Sequence, residues 1–220
     1  MQHTTESGLS PKFSIIVPHY DGVISDEKFV EGMSSIADSV YKNFEVRVYH
    51  DGPLNRPLPD LDQFGFEYTF KETKKRYNDW GHSLRDLGIR EAQGDYIVHF
   101  NPDNLLYKDG LQGIVETISY MRDFGETKII ISPIVLEGCI RHPHTSALYR
   151  TRDVNHRIIL DGFPAIINNI DCMQLVATKQ IWLSIGGWYD KSETSDGIIY
   201  QKLLEGRSRI YSSKLLGVHR

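Results

Sequence analysis

Two short apolar runs with an amphipathic helix between them constrain this chain more than any other feature. "KFSIIVPHY", residues 12–20, reads as a buried strand that stops near Pro18. Ser25 is placed to cap a helix running to about Tyr41, with Phe29, Val30, Met33, Ile36, Ala37 and Val40 at helical spacing. Asp26 and Glu27 then lie at its positive end. "NFEVRVYHDG" follows, with Phe44, Val46 and Val48 alternating before an Asp51-Gly52-Pro53 turn. Strand, helix, strand in this order predicts parallel strands joined by a crossover helix, and hence an α/β fold.

The alternation continues. "LNRPLPDLDQFG" is a proline-punctuated connector and "FEYTF" a further strand. In the next stretch Trp80, Leu84, Leu87 and Ala92 form one apolar stripe, capped by Asn78 or Asp79 and ended by Gly94. "DYIVHF" is a strand, so Asn101-Pro102-Asp103-Asn104 sits at its C-terminal end, the edge where open parallel sheets bind ligands. A helix over about Leu111 to Arg122 and a strand "KIIISPIV" come next. Between Glu137 and Asn169 the pattern becomes irregular. Then "MQLVATKQIWLSIGGWYD" predicts a strand, a short helix and a Gly-Gly turn, "DGIIYQKLLEG" a helix and "SRIYSSKLLGVH" a last strand. The expectation is one domain over 1–220, mainly a parallel sheet flanked by helices, with a more irregular C-terminal half.

Composition narrows the function. Acidic residues number 29 against 25 basic ones, a net charge of -4, which speaks against a general nucleic-acid binder. The two cysteines, Cys139 and Cys172, form no metal pattern and no disulfide framework. The opening "MQHTTESGLSPK" has no basic-then-apolar leader and no apolar run approaches a transmembrane span, so a cytoplasmic protein is expected. A soluble domain of a larger enzyme would read the same way. No strand is followed by the G-x-G-x-x-G of a dinucleotide enzyme, and "VPHYDGVISDEK" lacks the basic glycine loop of a nucleotidyltransferase.

"FSIIVPHYDG", "VRVYHDG", "GHSLRDLGIREAQGDYIVHFNPDN", "GGWYDKSETSDGIIYQKL" and a closing "GVH" occur in the order found in GT-A fold glycosyltransferases. The chain resembles that fold, its family-2 type above all, over nearly its whole length. The resemblance implies a nucleoside-diphosphate sugar donor, with a UDP- or GDP-sugar bound by about 12–107. It implies acceptor binding and catalysis by about 108–220, the acceptor being a glycan, a protein-linked glycan or another hydroxyl compound. It further implies a divalent cation on the diphosphate and transfer with inversion.

Residue by residue, the Asp-x-Asp metal signature matches Asn101-Pro102-Asp103, so its first Asp is an Asn. Asp103 is then the expected metal ligand, with Asn101 and Asn104 left for ribose or phosphate hydrogen bonds. His219 matches the histidine that returns to the metal, and an imidazole ligand favours Mn²⁺ over Mg²⁺. Asp51 matches the carboxylate on the nucleotide base, with Pro18, His19 and Tyr20 as a neighbouring wall. Arg85, followed by Asp86 where the resemblance has Asn, is expected at the diphosphate or base.

The base motif, usually ending Glu-Asp, matches Thr194-Ser195-Asp196, which makes Asp196 the expected catalytic base, with Asp190 and Glu193 in reserve. An Asp at a helix start is also an ordinary N-cap. Gly187 and Trp188 are expected under the sugar, and Asp171 at donor or acceptor hydroxyls. His142, His144 and His156 with Arg141, Arg150, Arg152 and Arg157 make a basic stretch without zinc spacing. With one metal-signature Asp and the Glu of the base motif missing, a catalytically weak or inactive carbohydrate- or nucleotide-binding domain is the competing reading.

Overall fold

The structure is a computed structural model and describes residues 10–121, 128–141, 148–166 and 169–220. Arg122, His142 and His144, named above, lie outside the described residues. The first strand, β1 (Phe13–His19), is buried at every position. Phe13, Ile15 and Val17 point into one core and Ile16 into another, because successive strand side chains face opposite sides of the sheet. Helix α1 (Asp26–Ala37) is capped by Ser25, whose hydroxyl accepts from Lys28 N at 3.4 Å. It ends earlier than its apolar periodicity predicts, and Val40 is exposed. Strands β2 (Phe44–His50) and β3 (Glu67–Glu72) then pair in parallel beside β1.

Helix α2 (His82–Glu91) starts later than expected. Asp79 still supplies the capping acceptor, taking Ser83 N at 3.1 Å and Ser83 Oγ at 2.6 Å. Trp80 stands before the helix with φ 54°, so it is not part of the buried stripe. Strand β4 (Tyr96–His99) pairs with β1 on the side away from β2. The chain order therefore reverses at β1, opening the crevice outside β1 and β4 where α/β sheets bind ligands.

After β5 (Leu105–Leu106) and α3 (Gly110–Met121), the apolar run 128–135 splits at Pro133. β6 (Ile129–Ile131) joins the large sheet, whereas β7 (Ile134–Glu137) joins a second one. β8 (Cys139–Arg141) and β9 (Leu148–Arg150) form a separate antiparallel pair, and β10 (Arg157–Leu160) pairs with β7. β11 (Leu175–Thr178) inserts antiparallel between β4 and β6. Helices α4 (Lys179–Ser184) and α5 (Ser195–Leu204) follow.

The expected last strand is also split, into β12 (Ile210–Tyr211) beside β6 and β13 (Gly217–His219) between β7 and β5. The large sheet thus runs β12-β6-β11-β4-β1-β2-β3 and the small one β10-β7-β13-β5. Among the described residues, no helix is long and apolar enough to cross a membrane.

One packing contact positions the turn after β4. Gly32 on α1 lies against it so closely that an added Cβ would fall 2.1 Å from the Pro102 carbonyl oxygen. That backbone atom cannot swing aside like a side chain. Gly32→Ala is expected to cost about 1–3 kcal/mol through overpacking. Chemical denaturation reads the loss, and amide NMR shifts at 101–104 report the displaced turn.

Candidate active site

The ends of β1, β2 and β4, the start of α5 and β13 enclose a cavity of 760 Å³. It is lined by Pro18, His19, Tyr20, Asp51, Arg85, Asn101, Asp103, Asp171, Asp196 and His219, gathered from positions far apart in the chain. Three other expected residues lie elsewhere. Asn104 is fully buried, its Nδ2 3.6 Å from Met173 Sδ, because the chain turns inward there to enter β5. Trp188 is fully buried, stacked on Trp182 and His82, with Nε1 donating to Ser195 Oγ at 2.8 Å. It is a core residue and offers no ring face to a sugar. Gly187 packs against α2, where a Cβ would fall 2.1 Å from Asp86 Oδ1, so its close approach is to protein.

Arg85 occupies the floor of the cavity. Its Nη1 donates to Trp80 O at 2.9 Å and its Nη2 to Asn101 Oδ1 at 2.6 Å, with Cys172 Sγ 3.4 Å away. The amide of Asn101 is therefore turned to the guanidinium. Asp86, the next residue, takes Trp188 N at 2.9 Å and Arg90 Nε at 3.0 Å, tying α2 to the loop before α5.

Asp196 lies in the first turn of α5, and Thr194 holds the N-cap position, so helix capping does not account for the aspartate. Burial pushes its carboxyl up to about 6, an effect opposed by Arg85 and reinforced by Asp171. Asp171, Cys172 and Asp196 bring potential metal-ligand atoms within 4.8 Å of one another. The thiol is a poor ligand as it stands, since burial and Asp171 keep it protonated well above its ordinary range.

Asp171 and His219 form a second constellation, with Oδ2 2.9 Å from Nδ1. Burial alone would raise the Asp171 carboxyl, but His219 and the Met173 N–H hold it down to about 2. His219 shifts the other way, raised by Asp171 against its burial, and Asp103 adds to the rise. Arg150 Nη2 lies 2.7 Å from His219 Nε2. The Asp103 carboxylate makes no hydrogen bond among the described residues, while its backbone oxygen takes Arg220 Nε at 2.6 Å.

At the other end of the cavity, Asp51 accepts from Tyr77 N at 2.7 Å and Asn78 N at 2.9 Å. It thereby fixes the loop into α2, in which Asn78 and Trp80 have left-handed backbones. Arg76 lies 3.8 Å over the Tyr20 ring. His19 is buried with both ring nitrogens unpaired among the described residues, and burial together with His50 lowers it to about 4. Its wall of the cavity is thus neutral.

Sequence reasoning missed several lining residues: Arg76, Trp80, His82, Cys172 and Arg150 as a partner of His219. Trp80 is the most conspicuous, 64% exposed at the rim. The signal for it was the adjacent glycine, since a turn before a helix frees the preceding side chain from the stripe.

Solved structures match this architecture over nearly the whole chain. S. aureus TarS 1-349 superposes with a TM-score of 0.70 at 15% identity, covering 94% of this chain and 60% of that one. The mannosyltransferase PcManGT from Pyrobaculum calidifontis, solved with GDP-Man and Mn²⁺, gives 0.64 at 14% identity, covering 95% and 56%. The fold is that of the GT-A glycosyltransferases.

TarS with this GT-A fold has also been solved with UDP and with UDP-GlcNAc. Among curated proteins, an uncharacterized glycosyltransferase of Rickettsia felis is 30% identical over 105 residues, which are 46% of this chain and 16% of that protein. The amylovoran biosynthesis glycosyltransferase AmsB of Erwinia amylovora is 25% identical over 124 residues, 54% of this chain and 40% of AmsB. The matches thus span less than half of those relatives. No protein-family profile matches the sequence.

Within the GT-A fold the two tryptophans make opposite demands. Trp188→Ala is expected to cost about 3–5 kcal/mol, as for a large buried side chain. Trp80→Ala should stay within about 0.5 kcal/mol, as for an exposed one. Urea denaturation of the two variants checks both.

Proposed function

We propose that this chain is a glycosyltransferase domain that moves a sugar from a nucleoside diphosphate to an acceptor hydroxyl, with inversion at the anomeric carbon. The observation that carries the reading is Asp196: a half-buried carboxylate in a ligand-sized cavity, influenced by Arg85, with its affinity for a proton raised to about 6. A base with that affinity is ionised at neutral pH yet binds a proton firmly enough to remove one from a hydroxyl as it attacks. In this reading 12–107 hold the donor, and 108–220 carry the base and the acceptor site. Relatives named glycosyltransferase and neighbours solved with UDP, UDP-GlcNAc and GDP-Man support the donor class.

The residues at the end of β13 suit a divalent cation. A histidine that ligates a metal commonly has a carboxylate at its other ring nitrogen, and His219 Nδ1 stands 2.9 Å from Asp171 Oδ2. Asp103, with a carboxylate free of hydrogen bonds among the described residues, supplies the hard oxygen. Asp103 and His219 would hold the ion, and the mixed oxygen and nitrogen set favours Mn²⁺. Such an ion stabilises charge on a leaving diphosphate. Arg85 keeps the cavity floor positive and holds Asn101, and Trp80 offers the rim an aromatic face for a sugar ring.

The competing reading, an inactive binding domain, differs in one readout. Titration with UDP and GDP, each with Mn²⁺ and with EDTA, is expected to show one diphosphate binding in Mn²⁺ and lost in EDTA. Donor turnover then separates an enzyme from a binder.

Asp196→Asn is expected to lower transfer by about 10²-fold or more while diphosphate binding persists. Wild-type activity should rise with pH through about 6 as Asp196 ionises. Stability moves the other way. The folded chain holds this proton more tightly than the unfolded chain, so the contribution is complete below about pH 4 and is lost as pH rises through about 6. Asp196→Asn should therefore melt above wild type at pH 8 and converge with it near pH 4, as calorimetry would read.

A further inference from the structure

The charge balance of the cavity poses a problem for a diphosphate. Asp103, Asp171, Glu193 and Asp196 all line it, and a bound diphosphate adds further negative charge among them. Most nearby cations are committed. Arg85 gives both terminal nitrogens to Trp80 O and Asn101 Oδ1. Arg76 stacks on Tyr20, with Nε 3.9 Å from Asp51. Arg220 is held by Glu31 and the Asp103 backbone.

Arg150 differs from these. It lines the cavity, is exposed where Arg85 is buried, and, unlike Arg76 and Arg220, has no carboxylate within ion-pair distance among the described residues. Its contact is with a ring nitrogen, Nη2 to His219 Nε2 at 2.7 Å. A guanidinium has only donors, so the imidazole must accept through its lone pair. That lone pair is the one a metal would take. The ring cannot offer its other nitrogen instead, because Nδ1 faces Asp171 at 2.9 Å. Arg150 and a cation therefore compete for one atom.

The side chain is also free to move. Arg150 ends β9, in a two-stranded sheet apart from the other two, and it is exposed. Backbone bonds from Gly138 N to His156 O and from Thr151 N to Gly138 O, at 2.8 and 2.7 Å, anchor the base of that hairpin. The long arginine stem can swing over several ångströms while the backbone stays in place. A planar guanidinium released beside a diphosphate finds the acceptor geometry it fits best.

We propose that Arg150 is an exchangeable cap on His219 which, when a divalent cation takes its place, becomes an anion ligand for the donor's diphosphate. The proposal rests on the reading of this cavity as a metal-dependent donor site. In the empty state Arg150 occupies the metal's place on the imidazole and keeps a cation among the carboxylates. In the loaded state it gives the diphosphate a second positive group besides Arg85.

The test is a pair of affinities measured on the whole chain. Manganese(II) alone is titrated against wild type, Arg150→Ala, His219→Ala and the double variant, with the free-ion signal followed by electron paramagnetic resonance. UDP and GDP are then titrated calorimetrically in saturating Mn²⁺. The expected result for Arg150→Ala is Mn²⁺ bound several-fold more tightly and the diphosphate about tenfold more weakly. The gain in Mn²⁺ affinity should vanish in the His219→Ala background, because the cap acts through that ring.

A gain that persists without His219 would make Arg150 a distant charge and overturn the cap. Unchanged diphosphate affinity would overturn the anion role, as would both affinities falling together, the mark of a structural residue. Wild-type chain that binds neither Mn²⁺ nor either diphosphate would sink the donor-site reading itself, and the proposal with it. That failure is distinct, because it is visible before any variant is compared.

Discussion

The buried guanidinium of Arg85 is the constraint around which the site is organised. Desolvating a cation costs several kcal/mol unless its surroundings repay it with hydrogen bonds and opposite charge. Here the repayment comes from four segments: the Trp80 carbonyl before α2, the Asn101 amide after β4, the adjacent Asp171 and Cys172 before β11, and Asp196 in α5. None of these is near another in sequence. Placing Arg85 therefore fixes the left-handed loop into α2, the turn that carries Asp103, and the first turn of α5. The neutral partner at 101 has an electrostatic consequence. An aspartate there would neutralise the arginine locally, whereas the amide leaves its charge to act on Asp196 and Asp171.

The histidines show how environment divides one residue type. His19, His82 and His99 are all buried and all shifted down, because burial penalises the cation and positive neighbours add to the effect. They act as neutral rings, His99 edge-on to both Trp182 and Trp188. His219 is nearly as enclosed but stands against Asp171, and its shift has the opposite sign. Burial is common to all four, so the adjacent carboxylate decides the difference.

Much of the fold was legible because it is written in local periodicity. β1, α1, β2 and β4 follow from runs of apolar residues at strand and helix spacing, whereas Asp103 and Asp196 were singled out by the order of motifs that resembles GT-A glycosyltransferases. The misreadings share a cause. Trp80 has the correct spacing to join Leu84 and Leu87, but a left-handed backbone at that residue turns it out to the rim. Trp188 follows two glycines as a binding-loop residue would, yet the Asp86 carboxylate draws its backbone inward. The run 128–135 looks like one strand because apolar content does not reveal that Pro133 moves the chain between sheets. Contacts such as Arg150 on His219 join residues far apart in the chain and leave no local trace.

The position of β13 carries a consequence for biosynthesis. It is an inner strand of the small sheet, bonded to β5 on one side and β7 on the other. On a translating ribosome, β5 and β7 have both emerged long before 217–219, and they have no neighbour to hold them together until that segment arrives. The cavity likewise lacks His219 until then. The large sheet can assemble from its early strands as they appear, but the second sheet and the completed pocket must close late and together. A nascent chain of this design passes through a stage in which the β1 and β4 side of the cavity stands beside strand edges still waiting for their partner.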